Sequence, residues 1–148
     1  MIGNVTLTII KPDAVLKNKV GAILTQINQA GFRIQGLKMI KLRRSQAEVF
    51  YGIHRSKPFF APLVEYMISG PIVVAVLEKE NAVDDYRKLI GVTDPAKAGE
   101  GTIRRIHGRD VQHNAVHGSD SDANALKECN FFFSASERFS IEGICYLE

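Results

Sequence analysis

The unbroken apolar run Ile72-Val73-Val74-Ala75-Val76-Leu77 constrains this fold more than any other feature of the chain. It is rich in β-branched residues and lies between Gly70-Pro71 and the polar stretch from Glu78 to Asn81. Such a run reads as a buried central strand. Val5-Thr6-Leu7-Thr8-Ile9-Ile10 alternates and reads as a strand that ends at Lys11-Pro12-Asp13, where proline stops the pairing. A further strand spans about Arg33 to Leu42. Between these, Val20, Ile23, Leu24 and Ile27 recur at i, i+3, i+4, i+7, one helix face, with Gly31 suited to the position after its end. Ser45 and Glu48 have capping-box spacing and predict a helix starting there. Pro58 opens another helical stretch, Asn81 caps one ending near Gly91, and Ser121 caps one from Asp122 to about Cys129. Phe131-Phe132-Phe133 reads as a last short strand.

The order is strand, helix, strand, two helices, strand, helix, long loop, helix, strand. Two βαβ halves point to an α+β, ferredoxin-like split βαβ fold: a four-stranded antiparallel sheet covered by helices, here expected on one face. A doubly wound sheet is the alternative, and only four convincing strands with long excursions between them favour the former. The stretch from Val92 to Ser121, about 30 residues without periodicity, is expected to be functional, as long loops usually are.

A length of 148 residues suits one domain over 1–148. The net charge of +3 is too small to argue for nucleic acid but suits an anionic small ligand. Met1 to Ile10 has no basic segment ahead of its apolar residues and does not read as a signal peptide. The Ile72–Leu77 run is far short of a membrane span. Cys129 and Cys145 have neither metal nor redox spacing and read as reduced thiols of a cytoplasmic protein.

The chemistry concentrates in Asn114-Ala115-Val116-His117-Gly118-Ser119-Asp120-Ser121. A neutral imidazole can attack phosphorus near neutral pH because its unperturbed pKa is about 6.5. Gly118 beside it lets a bulky anion approach the backbone. A loop histidine alone is more often a surface residue; the rest of the chain changes that weighting. Lys11 ends the first strand, Arg87 lies in the helix after the third, Thr93 follows that helix, and Arg104 follows Gly101-Thr102-Ile103. An ammonium, two guanidiniums and a hydroxyl from four elements can converge on a polyphosphate, and arginine suits bidentate phosphate contact. There is no P-loop and no dinucleotide fingerprint, so side chains must hold any nucleotide. Phe59 at a helix start can stack on a base, while Phe60 fits the core at least as well. Tyr51 either presents its hydroxyl to a pocket or packs half-buried. A metal site on His107, His113 and His117 is disfavoured, because Asn114 and Gly118 argue against a helix there and no carboxylate completes a ligand set.

Together with Ile10-Lys11-Pro12-Asp13, Lys57-Pro58-Phe59-Phe60, Ser69-Gly70-Pro71 and Gly101-Thr102-Ile103-Arg104, the segment Asn114–Ser121 resembles, in order and over nearly the whole chain, the motifs of the nucleoside diphosphate kinase family. The resemblance implies transfer of the γ-phosphate of a nucleoside triphosphate to a nucleoside diphosphate, ping-pong through a phosphohistidine at His117. The long loop would help to form the nucleotide cleft. Lys11, Arg87 and Arg104 would bind phosphates, and Thr93 would donate its hydroxyl to them. Tyr51 would sit beside His117, and Glu128 and Ser119 would orient its ring and fix its tautomer. Asn114 would contact the ribose 3′-hydroxyl. Phe59 would stack on the base with Leu63 and Val111 packed against it, an arrangement tolerant of many bases. Mg²⁺ would ride on the phosphates, touched by Asp120 at most through water.

The implied partners are nucleoside tri- and diphosphates and copies of the chain itself, a tetramer in preference to a hexamer, with no membrane and at most weak, secondary binding of nucleic acid. Lys57–Phe60, Ile72-Val73-Val74 and Asn81-Ala82-Val83 look like bacterial members. Arg105-Ile106-His107 departs from the small and acidic residues many members carry, and Glu100 stands where many have proline. Residues Gly143 to Glu148 lack the aromatic ending of hexameric eukaryotic relatives. These departures bear on assembly, not on chemistry. A nucleotide-binding regulatory protein without turnover is disfavoured because His117 and Lys11 are both present. A nucleic-acid module built on the same sheet is disfavoured because the strands lack the required aromatics.

Overall fold

The computed structural model describes residues 3–143. Cys145 and nearly all of the C-terminal ending lie outside the described residues, as do Met1 and Ile2. In chain order the elements are β1 (Val5–Ile10), α1 (Pro12–Leu16), α2 (Val20–Gln29), β2 (Arg33–Ile40), α3 (Arg44–Phe50), α4 (Phe60–Met67), β3 (Ile72–Glu78), α5 (Ala82–Ile90), α6 (Ile103–His107), β4 (Val116–Gly118) and α7 (Asp122–Phe132). Short 3₁₀ turns occur at Gly52–His54 and Ala135–Glu137.

The four strands form one sheet in the order β2-β3-β1-β4. Every pairing is antiparallel: Val5 faces Glu78 and Ile10 faces Val73 across β1 and β3, and Ile9 faces His117 across β1 and β4. β1 and β2 therefore run the same way with β3 inserted between them, the split βαβ arrangement expected from the sequence.

Helices cover both faces, not one. Leu7, Ile9, Val74 and Val76 pack with Tyr51 just after α3, Val64 and Met67 from α4 and Phe132 from α7. Ile10, Val73, Ala75 and Leu77 pack with Ile23, Ile27, Tyr86 and Ile90 from α2 and α5. This explains why β3 has no polar position: each residue from Ile72 to Leu77 is buried. The alternation in β1 does not mark a wet face either, since Thr6 and Thr8 are fully buried and the Thr8 hydroxyl hydrogen-bonds that of Tyr86 at 2.6 Å.

Three expected elements shift. α3 starts one residue before Ser45, because the Gln46 carboxamide oxygen accepts the Arg43 N–H at 2.9 Å and sets the start of the helix there. β2 ends at Ile40, two residues short of Leu42. Phe131-Phe132-Phe133 is not a strand. α7 runs through Phe132, and Cys129, Phe132 and Phe133 share the i, i+3, i+4 phase that buries them in the core. The fourth strand is β4, three residues within the stretch read as loop, too short to leave a periodic signal. α6 also lies in that stretch. Pro12 opens α1, where its missing N–H costs nothing. Cys129 is buried, and burial pushes its thiol up to about 12.

Candidate active site

β1 and β4 lie side by side and deliver Lys11 and His117 to one cleft of about 880 Å³. α3 and α4 bring Tyr51, Phe59 and Leu63 to it; α5 and the turn after it bring Arg87 and Thr93. α6 supplies Arg104, the loop before β4 supplies Val111 and Asn114, and the segment from Asp120 through α7 supplies Asp120 and Glu128. Of the residues given a role by the resemblance, Ser119 alone does not line the cleft; it is fully buried behind it.

Ser119 acts from that position through a chain of hydrogen bonds. The Leu7 N–H donates to Ser119 Oγ at 3.2 Å, and the Ser119 hydroxyl donates to Glu128 Oε1 at 2.6 Å. The same carboxylate oxygen lies 2.9 Å from His117 Nε2. A carboxylate only accepts, so it holds the ring proton on Nε2 and leaves Nδ1 with its lone pair. The edge of the Phe50 ring meets the imidazole at a centroid distance of 5.6 Å.

The backbone before His117 is fixed as tightly. The Val116 N–H donates to the Asn114 carbonyl at 2.9 Å, and Ala115 between them has φ +72°, a γ-turn of the strained, positive-φ kind. The Ala115 carbonyl takes the Lys11 N–H at 2.8 Å, tying the turn to the end of β1. Gly118 permits a close approach: a Cβ there would stand 3.0 Å from both Ile90 Cδ1 and Tyr86 Cδ2, so those side chains would have to give way.

Cationic groups crowd the same end of the cleft. Lys11 is buried; its Nζ donates to Asn114 Oδ1 at 2.8 Å, and Asn114 Nδ2 donates to the Thr93 carbonyl at 3.1 Å. Burial chiefly, then the nearby Arg104 charge, lowers the Lys11 ammonium to about 8 against the opposing pull of Asp13. Arg104 donates from Nη1 to the Gly91 carbonyl and from Nη2 to the Val116 carbonyl, each at 3.0 Å. Its Nε is buried without a hydrogen-bond partner, and burial lowers the guanidinium to about 10. The Tyr51 hydroxyl is likewise buried and unpartnered, and burial, with Glu128 adding, pushes its pKa up, so it remains a proton donor. Lys11, Arg87 and Arg104 form no ion pair among the described residues. Cations without ion-pair partners, beside buried donors left unpaired on residues that line the same cleft, describe a site for a polyanion.

Part of the cleft lining is apolar. Phe59 is 48 % exposed, with its ring 5.2 Å from that of His54, and Leu63 and Val111 also line the cleft. Phe60 turns toward the core under the Arg55 guanidinium, which resolves the open choice between the two rings. His54, Gln112 and Lys127 also line the cleft and were not anticipated, because each sits outside the recognisable motifs. The histidines do not converge: His113 Nδ1 pairs with Asp110 at 2.9 Å while His117 pairs with Glu128. Among the described residues no three metal-ligating side chains gather. No helix among them is long and apolar enough to cross a membrane.

Comparison with known proteins gives this geometry a family. The model of the nucleoside diphosphate kinase family matches residues 4–138. The nucleoside diphosphate kinase of Pasteurella multocida is 57 % identical over 134 residues, covering 90 % of this chain and 96 % of the relative. That of Lawsonia intracellularis is 54 % identical over 133 residues, with the same coverage. Among solved structures, the Aquifex aeolicus nucleoside diphosphate kinase superposes with a TM-score of 0.89 at 45 % identity, covering 91 % of this chain and 98 % of that one. A halophilic nucleoside diphosphate kinase from Halobacterium salinarum, solved with CDP, superposes with a TM-score of 0.90 at 34 % identity, covering 93 % and 92 %. With more than half of the aligned residues identical to bacterial relatives over nearly their full length, and with the fold of the solved kinases, the chain belongs to the nucleoside diphosphate kinase family, enzymes that transfer phosphate between nucleotides.

Proposed function

We propose that the chain moves the γ-phosphate of a nucleoside triphosphate to a nucleoside diphosphate in two half-reactions, with His117 as the covalent relay. The observation that carries this reading is the His117 ring, anchored through Nε2 to Glu128 inside a cleft lined by Lys11, Arg87 and Arg104. In the first half-reaction the Nδ1 lone pair attacks the γ-phosphorus, the bond from phosphorus to the bridging oxygen breaks, and the nucleoside diphosphate leaves with that electron pair. Nε2 keeps its proton, so the phosphorylated ring gains positive charge beside the Glu128 carboxylate. A second diphosphate then attacks the phosphohistidine by the reverse path, which divides one transfer into two easier steps.

The remaining residues supply position and charge, which is most of what phosphoryl transfer requires. Lys11, Arg87 and Arg104 hold the phosphates, with the orphaned Arg104 Nε as a donor that a phosphate oxygen would satisfy. Thr93 donates its hydroxyl to them, and the Tyr51 hydroxyl, aimed by burial, donates near the transferring group. Asn114, already bridging Lys11 and Thr93, contacts the ribose 3′-hydroxyl. Phe59 stacks on the base between Leu63 and Val111, contacts that do not discriminate strongly among bases.

Asp120 is exposed at the cleft and its Oδ1 already accepts from Asn124 Nδ2 at 2.6 Å, so the donor set fits a divalent cation held by phosphate oxygens and water, with Asp120 reached through water. Mg²⁺ bound in that way would offset phosphate charge.

The reading includes one kinase domain over 1–148 in the cytoplasm, assembled as a homotetramer; the exposed Leu37 and Met39 on edge strand β2 support contact between copies.

The test is steady-state kinetics over donor and acceptor concentrations. Parallel double-reciprocal lines, with turnover lost and nucleotide binding retained in His117→Ala, are expected. Intersecting lines, or turnover in that variant, would overturn the relay.

A further inference from the structure

We propose that Asp13 is a positioning residue for phosphate binding, its buried carboxylate keeping the Lys11 ammonium charged and in place while the cleft holds no nucleotide. The inference rests on Lys11 binding phosphate in the reaction proposed above. Both Asp13 carboxylate oxygens are buried and have no hydrogen-bond partner. A carboxylate in that condition is costly, and such a group in a folded protein calls for a compensating interaction.

The compensation available is electrostatic. Asp13 and Lys11 ride on one rigid turn: Pro12 fixes the backbone between them, and the Lys11 carbonyl accepts the N–H groups of Ala14 and Val15 at 3.1 Å. Tyr66 from α4 fixes the same turn, its hydroxyl oxygen accepting the Asp13 N–H at 3.3 Å. Around Lys11, Arg104 from α6 pushes toward the neutral amine, Asn114 contributes a neutral acceptor, and Asp13 is the carboxylate that favours the cation. The polar partner of Lys11 at hydrogen-bond distance is thus uncharged, and the balancing charge comes from the turn itself.

This assigns Asp13 a role confined to the free enzyme. Without nucleotide, burial and Arg104 both favour loss of the Lys11 proton. Asp13 opposes that loss until phosphate arrives and takes over as the counter-charge. Removing the carboxylate therefore weakens the first encounter with nucleotide as pH rises and leaves the bound state little changed.

The test reads binding rather than turnover, so it stands apart from the covalent mechanism. The Kd of ADP with Mg²⁺ is measured from pH 6 to 9 in His117→Ala and in the double variant that adds Asp13→Asn. Affinity equal within about twofold at pH 6 is expected, with the alkaline loss beginning about one pH unit lower in the double variant and a Kd about threefold weaker near pH 7.5, approaching tenfold by pH 9, since one pKa unit is a tenfold change in protonation. Superimposable pH profiles would overturn the proposal, as would an equal weakening at every pH, which marks a merely structural role. If Asp13→Asn does not fold, Asp13→Ser carries the same readout. Loss of turnover in the parent enzyme with the pH difference intact would sink the kinase mechanism and leave this inference standing.

Discussion

Replacing Glu128 by glutamine keeps the shape of the acceptor facing His117 Nε2 and removes its charge. The amide oxygen can still accept from Nε2 and from the Ser119 hydroxyl, which now both reach one carboxylate oxygen at 2.9 and 2.6 Å. What disappears is the negative charge beside a ring that becomes cationic when Nδ1 takes the phosphoryl group. The two side chains are only 20 % and 19 % exposed, so water screens the pair weakly. Unit charges about 4 Å apart attract by roughly 4 kcal/mol at an effective dielectric near 20, an upper bound. The difference between a charge-assisted and a neutral hydrogen bond, about 1 to 1.5 kcal/mol, is a lower bound. A loss of about 1.5 to 3 kcal/mol in the transition state lowers kcat for phosphorylation about 10- to 150-fold. Ground-state nucleotide binding does not use this charge, so the Kd for ATP should move less than about threefold. Single-turnover labelling by quench flow, with a separate binding titration, measures both quantities. A Glu128→Gln enzyme that phosphorylates at the wild-type rate, or one whose defect lies wholly in Kd, would refute the assignment of Glu128 to the developing ring charge.

Three further outcomes follow from the site. Phe59→Ala should raise KM for ADP, GDP, CDP and UDP alike, by about five- to a hundredfold, because stacking is worth roughly 1–3 kcal/mol per base and reads no base edge; a defect confined to one base would contradict it. Gly118→Ala forces a methyl against Ile90 and Tyr86 and should cost about 1–3 kcal/mol, lowering both Tm and kcat because β4 carries His117; an unchanged Tm would show that β4 yields easily. Lys11 titrates near 8 when folded against 10.5 for the ordinary side chain, so between these values the unfolded chain holds more protons and stability rises with pH. The Tm of Lys11→Met relative to the parent should therefore be highest below pH 8 and fall as pH approaches 10.5, and a pH-independent difference in thermal unfolding would refute it.

Lys11 beside Pro12, Arg104 after Gly-Thr-Ile and His117 beside Gly118 were legible from sequence because each lies in a short motif whose residue types carry the chemistry; Arg87, Thr93 and Tyr51 were read from their place in the elements, and Leu63, Val111 and Glu128 only through the family resemblance. The sheet was legible where strands were long. β4 was not, because three residues are too few to show a period, and its identity depends on pairing with β1 far away in the chain. Phe131–Phe133 misled because aromatic residues favour strands locally, while the chain stays helical through Phe132 and the phase shared with Cys129 buries Phe132 and Phe133. The second covered face was implicit in the uniformly apolar β3 but was masked by the threonines of β1, whose burial depends on partners such as Tyr86. Ser119 was identified from sequence, yet its place behind Glu128 and its link to Leu7 exist only in the folded sheet. The unpartnered Asp13 carboxylate leaves no sequence signal at all.

The most direct measurement is of the covalent relay itself. The purified protein is mixed with γ-labelled ATP and Mg²⁺ without acceptor, and the protein-bound phosphate is characterised by acid and base stability and by phosphorus NMR. Attack by His117 predicts an acid-labile, base-stable phosphate on Nδ1 of that ring, absent in His117→Ala and discharged by added GDP or CDP. ATP binding with no labelled protein, or label that persists in His117→Ala, would contradict it.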